Sequence, residues 1–286
     1  MLESPRARRY TGAGAKDGTA MPENPIITLT TDFGIADSYV GAMKGVILGI
    51  APRAAVVDIT HEVPPQAVEA GAFLLGDAWR FFPRGTIHVA VVDPGVGTAR
   101  RAIAVETPDG FGVGPDNGVL SPLLEAATRV VELQEARWFR PVVSATFHGR
   151  DIFAPVAAHL ATGESLDHFG PAVVDAIRLV PREARIDGDT LVGEVIHVDR
   201  FGNLVTTITA PNLTGWKGVQ VEIAGWSIPA LAMTYGGDVA GSAGADLRAL
   251  IGSSGRLEIA AAGGSAARVT GASRGARVIV RRSANG

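Results

Sequence analysis

The apolar positions of the first 160 or so residues fall into two alternating textures. Short, β-rich and largely apolar runs occur at 26–30, 54–60 and 87–92, close to the pattern of strands buried on both faces. Between them apolar side chains recur at helical spacing: Val40, Met43, Val46, Ile47 and Ile50 within 37–50, then Val68, Ala72, Leu75 and Trp79 within 66–82. Asp37 or Ser38 is placed to cap the first helix, and Pro83-Arg84-Gly85 stops the second. This alternation predicts an α/β domain with a central, mostly parallel sheet covered on both faces. Residues 102–106 and 110–114 read as a hairpin around Pro108-Asp109-Gly110. A short helix over 120–126, a strand over 130–133 and a helix running to Leu160 complete the domain.

Past Val180 the pattern changes. The charged stretch 180–187, with Pro181, reads as a linker, and short β-rich runs follow at 191–198, 204–208, 219–223, 257–261 and 277–280. Glycine-rich turns separate them, helical spacing is scarce, and 235–245 and 262–275 read as low-complexity loops. The pattern predicts a smaller all-β domain, a barrel or a sandwich. The organisation expected is a tail over 1–24, an α/β domain over 25–181 and a β domain over 188–283.

Composition refines this picture mainly by exclusion. The chain has 286 residues, 47% hydrophobic and 19% charged, enough for two domains with cores of their own. A net charge of −3 supplies no field for nucleic acid or an anionic membrane, so the expected partner is a small molecule. The absence of cysteine excludes disulfides, thiolate catalysis and Cys-ligated metal, and suits a cytoplasmic setting. No apolar run reaches the roughly 18 residues of a membrane span. Residues 1–24 are polar, carry Arg6, Arg8, Arg9 and Lys16, and lack the apolar core of a secretion signal. They read as a flexible tail, with Met21 as an alternative start.

The candidate chemistry lies where the apolar runs end. Asp32, His61 and Asp93 follow three successive strands, and groups at the carboxyl ends of a doubly wound sheet line its ligand crevice. After Asp93, the turn Pro94-Gly95-Val96-Gly97 brings Arg100 and Arg101 back toward the same end. Taken singly, each has a plain structural alternative: Asp32 as a helix cap and His61 bonded to Asp58; Asp116-Asn117-Gly118 is a turn by default, with backbone support of the site as its functional alternative.

Five motifs occur in order: Thr31-Asp32-Phe33-Gly34, Asp93-Pro-Gly-Val-Gly-Thr-Ala-Arg100, Pro115-Asp116-Asn117-Gly118, Thr146-Phe147-His148-Gly149-Arg150-Asp151 and Asp199-Arg200-Phe201-Gly202-Asn203. Together they resemble the S-adenosylmethionine hydroxide adenosyltransferase family, related to the fluorinase and chlorinase enzymes, over about residues 25 to 282. The resemblance implies attack of water or hydroxide on the ribose C5′ of S-adenosylmethionine, giving adenosine and methionine. It implies no cofactor or metal, S-adenosylmethionine being the substrate, and a homotrimer with sites between neighbouring subunits.

Carried over residue by residue, the resemblance assigns Asp93, Arg100 and His148 to the nucleophile and Asp32 to both ribose hydroxyls. It places Asp37 against the amino-acid part of the substrate and makes Phe147 a wall of the nucleophile pocket. Asp199, Phe201 and Asn203 meet the methionine amino group and the adenine; Ser254, with its neighbours Ser253 and Gly255, and the Ala262-Gly263 pair take the carboxylate and the adenine edge. At Ala262 the sequence departs from the family, which usually has asparagine nearby.

These residue types suit the reaction. A sulfonium leaves without protonation, so the difficulty is to generate and aim the nucleophile. Arg100 favours hydroxide over water, and Asp93 or His148 can accept the proton. The related halogenases carry an uncharged residue at the position of Asp93, where a carboxylate would repel halide. Two rivals of other classes are a metal-dependent hydrolase using Asp32, Asp93, His148 and Asp151, and a sensor that binds nucleoside without turnover.

Overall fold

The computed structural model describes residues 23–216, 218–236 and 246–282. The tail expected over 1–24, except for its last two residues, and the loop beyond residue 236 lie outside the described residues. The chain divides into two compact units, one ending at Leu179 and the other beginning at Val180.

The first unit opens with β1 (Ile26–Thr31), α1 (Tyr39–Ile50), β2 (Ala55–Thr60), α2 (Val68–Ala78) and β3 (Thr86–Val91). The hairpin β4 (Ala102–Thr107) and β5 (Gly110–Pro115), the single turn α3 (Ser121–Leu124), β6 (Arg129–Glu132) and α4 (Ala154–Ala161) follow. The six strands form one sheet in the order β2-β1-β3-β5-β4-β6. The pairs β1–β2, β1–β3 and β3–β5 are parallel, while β4 pairs antiparallel with β5 and β6. The sheet is therefore mixed and mostly parallel among the strands that matter here.

Side chains alternate across β3. Ile87, Val89 and Val91 enter the core shared with α1 and α4, whereas Ala90 and Val92 enter the one shared with α2 and α3. Because β2 and β3 flank β1 on opposite sides, right-handed crossovers put α1 and α2 on opposite faces. The strand order thus reverses at β1, and a crevice opens beyond the carboxyl ends of β1 and β3.

The second unit contains β7 (Arg185–Asp187), β8 (Thr190–Val198), β9 (Leu204–Thr209), β10 (Val219–Ile223), β11 (Trp226–Ile228), β12 (Leu247–Ile251), β13 (Arg256–Ala261), α5 (Ala266–Thr270) and β14 (Arg277–Arg282). All named strand pairs are antiparallel, in the order β11-β10-β14-β8-β9-β13-β12, with β7 on β8. A bridge from Leu231 to Ala249 draws the two ends together, giving a barrel-like sheet.

Several boundaries differ from expectation for local reasons. Helix α2 starts at Val68 rather than 66 because Gln66 has φ 64, a left-handed conformation outside any helix. Residues 185–187, read as linker, pair with β8. The loop expected over 262–275 contains α5, capped by the Ser265 side chain accepting from Arg268 N at 3.2 Å and ended by Gly271 at φ 68.

One core histidine sets a stability limit. His88 is 2% exposed, bonds Thr28 Oγ1 through Nδ1 at 2.8 Å and meets Trp79 and Phe82 edge-on. Burial lowers its pKa from 6.5 to about 4. The unfolded chain therefore binds the extra proton first, so stability is full above pH 6.5 and falls as pH drops toward 4. At about 1.4 kcal/mol per unit the loss is ~3 kcal/mol. Thermal unfolding of wild type and His88→Asn between pH 7 and 5 should show a shallower pH dependence in the variant.

Candidate active site

Parallel register brings the strand ends level: Thr31 lies opposite Val91, and Thr30 opposite Thr60. Asp93 stands one residue past the end of β3, and Asn117 Nδ2 bonds the intervening Val92 carbonyl at 2.8 Å, fixing the backbone on which Asp93 sits. The turn then closes on itself, with Val96 N to Asp93 O at 3.2 Å, Thr98 N to Gly95 O at 3.1 Å and Thr98 Oγ1 to Gly95 O at 2.7 Å. Gly97 has φ 77, and a β-carbon there would collide with the Ala145 carbonyl oxygen. Only glycine lets this turn approach the 144–148 loop so closely.

That approach delivers His148. The Arg100 guanidinium donates through Nε to Asp93 Oδ1 at 2.9 Å and to Oδ2 at 3.1 Å, and through Nη2 to Asp93 Oδ2. The same Nη2 lies 2.8 Å from His148 Nδ1. A guanidinium has no acceptor, so Nδ1 accepts and neutral His148 carries its proton on Nε2. The side chains of Arg100 and Asp93 are 11% and 5% exposed, and the guanidinium lies 5.2 Å from the Phe153 ring centre. Burial, then the Arg100 charge, hold the His148 pKa below 6.5 against the opposite pull of Asp93 and Asp151.

Arg101 turns away, binding Asp116 at 2.6 Å and Asp175 at 2.7 Å. Asp116 also accepts from Ile177 N at 2.7 Å, so it ties down the unit's last residues. The approach to His148 is braced by Asp151, whose side chain is fully buried. Its carboxylate takes Arg150 Nε at 2.7 Å, Arg140 Nη1 at 3.3 Å and Ser144 N at 2.9 Å. Burial alone would raise the Asp151 pKa, but Arg150, the Ser144 amide and Arg140 lower it overall. His148 itself precedes a π-turn over Gly149–Phe153 that runs into α4.

Asp32 follows β1, and its Oδ2 accepts from Gln66 N at 2.8 Å, so it caps the approach to α2, the helix on the far side of the next strand. Asp37 is exposed in the bend before α1. Phe147 packs with Phe33 and Tyr39, ring centres 5.9 and 5.3 Å away, and Arg150 lies 4.9 Å from its ring centre. His61 Nδ1 pairs with Thr31 Oγ1 at 2.8 Å. Its Nε2 lies 3.0 Å from Asp58 Oδ1, at ion-pair distance but not aligned as a hydrogen bond. Lys44 binds the same Asp58 at 2.6 Å. Burial would raise the Asp58 pKa, yet Lys44 and His61 together lower it.

The remaining sequence-predicted residues lie in the second unit. Asp199 organises its own loop: Oδ1 accepts from Phe201 N at 2.9 Å and Asn203 N at 2.8 Å, and Oδ2 from Asn203 Nδ2 at 2.8 Å. Phe201 is 76% exposed, and Asn203 is buried. Ser254 Oγ is buried without a hydrogen-bond partner in the turn between β12 and β13. The Ala262 amide is taken by Asp246 O at 3.0 Å, and Gly263 is exposed with φ 65.

Gln66 and Tyr39 were not among the expected site residues; Asn117 was expected to support the site through its backbone, and it does so through its side-chain amide. Asn117 presents itself in sequence as an ordinary turn, and the left-handed backbone of Gln66 has no signature. Tyr39 alone carried a signal, an aromatic just after the Thr31-Asp32-Phe33-Gly34 motif. Among the described residues no three His, Asp or Glu side chains group as metal ligands. The carboxylates of Asp93 and Asp151 are instead engaged by arginines. No helix among the described residues is long and apolar enough to cross a membrane.

A buried set of polar side chains at the carboxyl end of a doubly wound sheet is the arrangement of an enzyme acting on a small molecule. Residues 27–170 match the SAM hydroxide adenosyltransferase N-terminal domain and residues 193–279 its C-terminal domain, and the chain belongs to that family. It is 42% identical over 266 residues to an (R)-S-adenosyl-L-methionine hydrolase of Salinispora tropica, covering 91% of this chain and 99% of the relative. A fluorinase of an Actinoplanes species is 32% identical over 219 residues, 66% of this chain and 74% of that one. The solved structure of an uncharacterized conserved protein from Thermotoga maritima aligns at a TM-score of 0.81 and 36% identity, over 90% of this chain and all of that one.

The Arg100–His148 contact makes a direct test. NMR titration should place the His148 pKa below 6.5, and Arg100→Gln should raise it, since the cation is removed while Asp93 stays.

Proposed function

We propose that the protein hydrolyses S-adenosylmethionine to adenosine and methionine, through attack of a water-derived oxygen on the ribose C5′. The chain is an enzyme of the hydrolase branch: its relatives at 40–48% identity are named (R)-S-adenosyl-L-methionine hydrolase, while the fluorinases match at 30–32%. The observation that carries the mechanism is the bridge from Asp93 through Arg100 to His148.

In this reading the oxygen is held beside the bridge. Arg100 supplies fixed positive charge and His148, protonated on Nε2, a second donor, so hydroxide is favoured over water. Asp93 is the carboxylate that receives or orients the proton and repels a competing halide. The new C5′–O bond forms as the C5′–S bond breaks, its electron pair neutralising the sulfonium, and one proton is released to solvent. Opposite charges disappear as the bond forms, so a water-poor site favours the transition state.

Asp32 takes the ribose hydroxyls with the lone pairs that Gln66 N leaves open. Phe147 walls the nucleophile pocket, and Asp37 meets the amino-acid part. Asp199, Phe201, Asn203, Ser254, Ala262 and Gly263 complete substrate binding; the unpartnered Ser254 hydroxyl supports its share of that role. The protein works in the cytoplasm as a homotrimer, without cofactor or metal.

Chromatography of purified protein with S-adenosylmethionine should show adenosine and methionine without added metal; a chloride-dependent 5′-chloro product as the main outcome would refute the reading. Arg100→Ala and His148→Ala should each lower kcat by about 10²-fold or more while changing ligand affinity much less. Because His148 works neutral and its pKa lies below 6.5, kcat/KM should be flat near pH 7 and decline only on the acid side.

A further inference from the structure

Asp32 is clasped from both sides by the segment that follows β2. Thr31 Oγ1, one residue before it, pairs with His61 Nδ1 at 2.8 Å and also accepts from Phe33 N at 3.3 Å. Gly34 N, two residues after it, donates to the His61 carbonyl at 2.8 Å, and Val63 N reaches Thr31 O at 3.3 Å. The carboxylate itself accepts from Gln66 N. His61 is 5% exposed and is backed by Asp58, which Lys44 holds in turn. His61 therefore grips the Asp32 turn twice, its ring at Thr31 and its main-chain carbonyl at Gly34, with Asp58 at ion-pair distance behind the ring.

We infer that His61 is a positioning residue for ribose recognition: it sets the direction of the Asp32 carboxylate without touching substrate. The inference rests on the reading of Asp32 as the group that takes the ribose hydroxyls. The Gln66 amide holds one oxygen of the Asp32 carboxylate, and the Thr31–His61 pair and the Gly34–His61 bond fix the turn on which that side chain stands, so its direction depends on both. Tight binding of two vicinal hydroxyls by one carboxylate needs such preorganisation.

The test compares S-adenosylmethionine with its 2′-deoxy analogue, in steady-state kinetics of wild type, His61→Ala, His61→Asn and Asp32→Ala. His61→Ala should raise KM for S-adenosylmethionine about 10-fold or more with kcat within about 3-fold. His61→Asn, which keeps a polar atom near the place of Nδ1, should recover most of that loss. On the 2′-deoxy analogue the His61→Ala penalty should shrink several-fold, because the contact being aimed is partly gone. An equal penalty on both substrates, or a fall in kcat at unchanged KM, overturns the inference. If Asp32→Ala leaves the preference between the two substrates unchanged, the reading of Asp32 fails; if Asp32→Ala abolishes it and His61→Ala does not weaken it, the inference about His61 fails alone. Should His61→Ala not fold, Thr31→Val removes the same hydrogen bond from the other side, and the same shrinkage supports the inference while its absence overturns it.

Discussion

The guanidinium of Arg100 is the group through which the candidate site is assembled. It is nearly buried, as is the carboxylate it binds, and such a pair is costly to bury unless its hydrogen bonds are well made. Here Nε and Nη2 converge on Asp93, and Nη2 also reaches an imidazole from a segment 48 residues away. One cation thus neutralises the carboxylate and fixes the histidine tautomer. Loss of Arg100 would leave Asp93 as a buried charge without its counterion and release His148 at the same time. The surrounding scaffold can be understood as what keeps that cation in place: Asn117 holding the strand end, the Gly95–Gly97 turn, and Asp151 stapling the loop before His148.

The same division of labour recurs across the crevice. Asp32 and Asp93 stand beyond neighbouring strands, and each is steadied from another loop: Asp32 by the Gln66 amide, and the strand end under Asp93 by the Asn117 side chain. Parallel strands make this possible, since their carboxyl ends all emerge at one edge while their connections return from the other. Reversal of the strand order at β1 then supplies the opening. In the second unit the corresponding device is local. Asp199 folds the loop that presents Phe201, so a single carboxylate spends three of its acceptor positions on its own turn.

The α/β half was legible because its strands are short, β-rich and largely apolar and its two long helices keep a clear spacing. The hairpin of β4 and β5 was readable from Pro108-Asp109-Gly110. The β half was harder: β11 has three residues, and β12 follows a stretch rich in glycine and alanine that masks alternation. Helix α5 was hidden for a similar reason, although Ser265 and Gly271 mark its ends. In the site, the residues that carry chemistry stood out by type and motif. Those that aim them, such as Gln66 through its amide and Asn117 through its side chain, act by contacts between distant segments, and spacing along one chain does not encode such contacts.

The π-turn at Gly149–Phe153 holds one residue more than an α-helical turn would need. Deleting that residue would make the segment a better helix and a worse site. The helix axis would stay continuous with α4, but everything before the deletion would swing by about 100° around it. His148 would leave the Arg100 guanidinium, while the hydrophobic face of α4 could remain seated. Local regularity and correct aim are therefore in opposition at this point of the chain. The length of the segment, more than the identity of most of its side chains, is what the imidazole depends on.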